Sequence, residues 1–186
     1  MRTAVILIAL TLSAAAAGAQ EPAPVHQWAG NGLRLEVQAL TLDQTRAFFL
    51  GRSFDGARAD EIARTGCFFR SDIGNASGEP GDPVVELDLS RWRVNAGAGP
   101  KPLWLREDWR RQWRERGIAP APSTAFHWAL FPTRQSFSPG DYNWGMITMG
   151  LKPGSRFRLE VRWRSSGREE AADLTDLECA DERAAK

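Results

Sequence analysis

Few residues in this chain can do chemistry, and the sequence places them unevenly. His26 and His127 are its only histidines, so three imidazoles cannot meet one metal ion within a single chain. Beyond Met1, the methionines are Met146 and Met149. Thioether and imidazole ligands together suit copper, so His127, Met146 and Met149 form a candidate metal set that His26 could complete. Met146 and Met149 stand three apart. In a straight strand they face opposite sides, and one ion takes both only if the chain bulges or turns at Thr148. The simpler reading makes both methionines core filler and His127 a strand histidine, with no local companion for general-base work.

A second group is aromatic and basic. Trp104, Arg106, Trp109, Arg110, Trp113 and their neighbours crowd one stretch. Exposed, they would make a Trp/Arg platform for an anionic sugar, a headgroup or a protein, since these residue types dominate interface hot spots. Packed inward, Leu105, Trp109 and Trp113 are the apolar stripe that a surface helix needs. A third group lies in Ser136–Gly145. Asp141, Tyr142, Asn143 and Trp144 there combine rigid aromatic area with directed hydrogen bonding in a loop, where binding residues concentrate. The alternative is a packed turn centred on Pro139-Gly140.

Motifs for the common catalytic chemistries are missing. The sequence has no Gly-x-Ser-x-Gly elbow, no phosphate loop with its lysine and no His-Glu-x-x-His. Glu169 and Glu170 read as solvated carboxylates in a polar turn, without a second acid to work with. Asn75-Ala-Ser77 matches a glycosylation acceptor and carries no weight alone. A non-catalytic role is expected. A hydrolase acting on cell-envelope glycan is the enzymatic alternative.

These side chains are positioned by short elements. Leu33–Leu40, Cys67–Ile73, Val84–Leu89 and Asn143–Leu151 read as strands, with Trp92 and Val94 extending the third. Arg156–Arg164 alternates most cleanly, with Phe157, Leu159, Val161 and Trp163 on one face and charge on the other. Leu42–Leu50 fits a helix or a strand. Asp60–Arg64 reads as a short helix, and Leu103–Arg116 as the clearest one, stopped by Gly117 with Pro120 and Pro122 beyond. Ala125–Phe131 reads as a strand. The expected fold is mainly β: an antiparallel β-sandwich of immunoglobulin-like or Greek-key type with one or two inserted helices.

The ends of the chain suggest export. Arg2, the apolar run Ala4–Leu12 and Ala17-Gly18-Ala19 form a signal-peptide pattern with cleavage after Ala19. The expected organisation is a signal peptide at 1–19, an extended leader at 20–31, one sandwich domain at 32–180 and a flexible tail at 181–186. Periplasm or secretion follows, and no transmembrane segment remains after cleavage. In an oxidising compartment the two cysteines, Cys67 and Cys179, should form a disulfide. With 24 basic and 23 acidic side chains, the chain lacks the positive surplus of a general nucleic-acid binder. Together these features suggest a periplasmic binding or assembly protein that engages a protein or cell-envelope component through its aromatic/arginine surface. The alternatives are a copper chaperone, with copper as the cofactor, and a glycan-binding protein.

Overall fold

The computed structural model describes residues 23–181. The expected signal peptide lies outside the described residues, as do positions 20–22 of the leader and 182–186 of the tail. Along the chain the elements are β1 (Val25–Gly30), β2 (Leu33–Ala39), α1 (Leu42–Leu50), α2 (Gly56–Gly66), β3 (Phe68–Asn75), β4 (Val85–Asp88), a 3₁₀ turn (Leu89–Arg91), β5 (Arg93–Asn95), β6 (Pro100–Pro102), α3 (Arg106–Glu115), α4 (Pro120–Ala129), β7 (Arg134–Phe137), β8 (Tyr142–Thr148), β9 (Arg156–Ser165) and β10 (Arg168–Glu178). The fold is mixed α/β, with two antiparallel sheets and four helices, and neither sheet closes or curls on itself. The helical content exceeds the one or two insertions expected.

Three local readings are corrected. Residues 25–30 are strand, not leader: Asn31 and Gly32 both take positive φ (45° and 82°). That two-residue turn matches strand twist and folds β1 back onto β2. Residues 120–129 are helix, although the sequence reads as strand over 125–131. Pro120 occupies the first helical position, where its missing N–H costs nothing. Phe126 and Leu130, four apart, are both buried on one side. Glu169 and Glu170 belong to β10 rather than to a turn. The ambiguous segment 42–50 is helical because Thr41 caps it. The Thr41 hydroxyl accepts from the Gln44 amide, and the Gln44 side chain accepts from the Thr41 amide, a reciprocal pair that satisfies two orphan donors.

The first sheet runs β1-β2-β3-β8. In the second, β9 carries β10 along one edge and β5 then β4 along the other; β6 and β7 flank these. One apolar core is shared by the sheets, with Leu33, Leu35, Phe69, Ile73 and Ile147 meeting Leu87, Leu159, Val161 and Trp163. A second core lies on the opposite side of the first sheet. There Phe68 and Met146 pack with Phe49 and Ile62 of the first helices and with Trp109, Trp113 and Phe126 of α3 and α4. The layers are therefore sheet, sheet, helices. Cys67, at the C-terminus of α2, is joined to Cys179, just past β10, closing a sequence separation of 112. The expected disulfide is present.

Candidate binding face

Strand register sorts the first sheet's side chains into two faces, since neighbours along a strand point oppositely. Leu33, Leu35 and Val37 go to the core; Arg34, Glu36 and Gln38 go outward. Pairing across the sheet then builds three rows on the outer face. One holds Ala29, Arg34, Gly74 and Tyr142. The next holds Gln27, Glu36, Asp72 and Trp144. The last holds Val25, Gln38, Arg70 and Met146. Helices cover Met146 at the end of the last row, and it is buried. Tyr142 and Trp144 are left uncovered, 59% and 73% exposed.

A third exposed aromatic stands on α4. Leu130, just past that helix, forms a parallel bridge with Met146, and Phe131 N donates to Met146 O. Trp128 stands on the helix that leads into this bridge, two residues before Leu130. Trp128 is 75% exposed. These three are the most exposed large apolar side chains among the described residues.

The polar groups of the face hold one another. Gln27 Nε2 donates to Glu36 Oε2 at 2.9 Å, and Arg70 Nη2 reaches Glu36 Oε1 at 3.4 Å. Arg34 Nη1 lies 3.1 Å from Asp72 Oδ1. The Arg34 guanidinium crosses Gly74 to sit 5.1 Å from the Tyr142 ring centre. Gly74 is required there, because a Cβ would stand 2.7 Å from Tyr142 Cβ and 2.5 Å from Asp141 O. Two arginines and two carboxylates leave the face neutral. At the β1 and β2 end lies a shallow hollow of about 250 Å³ lined by Gln27, Trp28, Ala29, Arg34, Leu35 and Glu36.

The outer face of the second sheet differs. Arg156–Glu178, Arg158–Asp173, Arg162–Glu160, Arg164–Glu86, Arg134–Asp88 and Arg91–Glu169 are ion-paired across or along it. Its concavity of about 530 Å³ is lined by several of these charges. Burial raises the Asp88 carboxyl there, but hydrogen bonds from Ser90 and Arg134 outweigh it and hold the group below the ordinary carboxylate value.

The tryptophans of the expected Trp/Arg platform divide between core and surface. Trp109 and Trp113 are each 1% exposed in the helix-side core, because the spacing of four that marked them as a stripe also turns both inward. Trp104 is 38% exposed and stands edge-on to Trp109 at 4.9 Å. Arg106 pairs with Glu107. Arg110 Nη2 lies 2.9 and 2.7 Å from the two ring nitrogens of His127. Asp141 accepts from Ser138 N and so closes its turn. Asn143 donates to Gln135 Oε1 at 2.7 Å, away from the outer face. Of the expected binding residues, only Tyr142 and Trp144 present their rings on the outer face.

The candidate copper ligands do not converge. Met146 fills the helix-side core, and Met149 the inter-sheet core. His127 stands on a helix; burial first, then Arg110 and Arg106, hold its imidazole below the ordinary value, with Glu107 opposing. Among the described residues, no three His, Cys, Asp or Glu side chains are grouped as a metal ion requires. No helix there is long and apolar enough to cross a membrane.

Sequence reasoning missed Trp128, because a strand reading gave it no distinct face. It also missed Gln27, Arg34, Glu36 and Asp72, which gain meaning only through register. The alternation of β2 and the Asn31-Gly32 turn were the available signals. Comparison with known proteins returns no matching family model, no matching curated protein and no matching solved structure.

Proposed function

We propose that this chain is an exported, non-catalytic binding protein whose contact surface is the outer face of the first sheet. The observation that carries this reading is the exposure of Tyr142 and Trp144 on β8, with an exposed Trp128 on the helix that bridges to β8, beside strands that supply paired polar side chains. Apolar surface left open in one place marks an interaction site, and aromatic anchors supply most of the affinity in such sites. The signal-peptide pattern of residues 1–19 and the Cys67–Cys179 bond support an oxidising, extracytoplasmic setting. The partner belongs to that setting: a protein or a component of the cell envelope.

Hydroxyl-radical footprinting tests this directly. The purified chain is compared with and without solubilised cell envelope. Protection of Trp128, Tyr142 and Trp144, with Trp104 and the second sheet's face unchanged, is the expected pattern. Protection confined to another surface, or none anywhere, overturns the reading.

A further inference from the structure

The chemistry of this face narrows what it takes. We infer that the row from Trp144 through Asp72 and Glu36 to Gln27, with Tyr142 in the adjoining row, binds an uncharged, β-1,4-linked pyranose chain. The inference rests on the binding-face reading and adds the ligand class to it.

Four observations carry it. First, the Tyr142 and Trp144 rings sit on an open sheet face rather than in a pit, which suits the side of a chain more than its end. Second, the row turns from aromatic to polar as it crosses the sheet. A pyranose can lay its axial C–H face on Trp144 while neighbouring units meet carboxylate acceptors at Asp72 and Glu36 and an amide at Gln27. A protein contact of this size instead wants an apolar centre inside a polar rim. Third, Gln27, Glu36 and Arg70 are already held by mutual hydrogen bonds, so little side-chain freedom is lost when hydroxyls replace water. Fourth, Arg34 and Arg70 are balanced by Asp72 and Glu36. A neutral face favours neither an acidic polysaccharide nor an anionic lipid surface. The row crosses three strand spacings, about 14 Å, and the hollow over β1 and β2 lies along its end. A flat, equatorially linked chain follows such a line; a helical α-linked one does not.

Calorimetric titration of the full chain, disulfide oxidised, with cellohexaose and chitohexaose is the test. Maltohexaose, a heparin hexasaccharide and vesicles of phosphatidylglycerol and phosphatidylcholine serve as comparisons. At least one β-1,4 hexasaccharide should bind, with affinity lowered about tenfold or more by Trp144→Ala and lowered by Glu36→Ala. Trp144→Phe should retain most of it, and Trp104→Ala should leave it within about twofold. Trp144 is largely exposed, so its variants should fold, and equal urea midpoints check this. Silence with both β-1,4 chains, binding indifferent to Trp144→Ala, or binding only to heparin or vesicles overturns the inference. Envelope protection of the three aromatics without any hexasaccharide binding leaves the binding face standing and removes the glycan. Loss of both removes both.

Discussion

Two stacked indoles in the helix-side core differ by one hydrogen bond. Trp109 Nε1 donates to Thr148 Oγ1 at 3.0 Å, and that hydroxyl donates onward to Trp104 O. Trp113, stacked on Trp109 with ring centres 5.3 Å apart, buries its Nε1 without a hydrogen-bond acceptor. Replacing either by phenylalanine removes the same volume. Trp109→Phe also orphans a buried hydroxyl acceptor, whereas Trp113→Phe removes a donor already unsatisfied. Urea unfolding should show Trp109→Phe the less stable by about 1 kcal/mol; the reverse order would show that packing decides. His127 sets a pH dependence. Its folded value lies below the ordinary 6.5, so the unfolded chain binds the extra proton as pH falls. Stability from this group is fully present above 6.5 and declines as pH drops below it. The urea midpoint should rise from pH 5 to 7.5, and His127→Gln should flatten that rise. An unchanged slope in the variant would assign it elsewhere.

Among the elements, the edge of β8 depends on one missing side chain. A Cβ at Gly145 would stand 2.9 Å from both N and Cα of Phe131, and backbone cannot retreat as a side-chain tip can. Gly145→Ala should therefore cost about 1–3 kcal/mol and loosen the Leu130–Met146 bridge, read as faster amide exchange at Phe131. Normal exchange there would mean the segment shifts without loss. The strands β2 and β9 were legible because each alternates against one core. The α4 segment was not, since Phe126-His-Trp-Ala-Leu130 is short enough to fit either period. Its helical spacing has meaning only once Phe126 and Leu130 have a layer to face. The site divides the same way. Tyr142 and Trp144 stood out by residue type. Arg34, Glu36 and Asp72 reach them only through cross-strand pairing, which no local pattern encodes.

At the scale of the whole molecule, the three layers depend on a covalent tie. Cys67 precedes β3 of the first sheet, and Cys179 follows β10 of the second, so the bond spans the layers as well as the sequence. A loop of this length restricts the unfolded chain strongly. Cys67→Ser with Cys179→Ser, or reduction, should lower unfolding free energy by about 4–5 kcal/mol, measured by urea unfolding with and without reductant. A loss below about 1 kcal/mol would mean that the shared core alone holds the sheets together.

The same bond decides what the molecule does under tension. Force applied at the two ends passes from Cys67 to Cys179 through sulfur, bypassing everything between. Only the hairpin of β1 and β2 and the first two helices can be drawn out, a span of roughly 150 Å for the described residues at full extension. Trp128, Tyr142 and Trp144 lie inside the bypassed loop; Gln27, Arg34 and Glu36 lie outside it. Pulling would strip Gln27, Arg34 and Glu36 from the face while leaving Arg70, Asp72 and the aromatics in the bypassed loop. A chain anchored at one end and loaded at the other would lose two strands of that face while the other two stay folded.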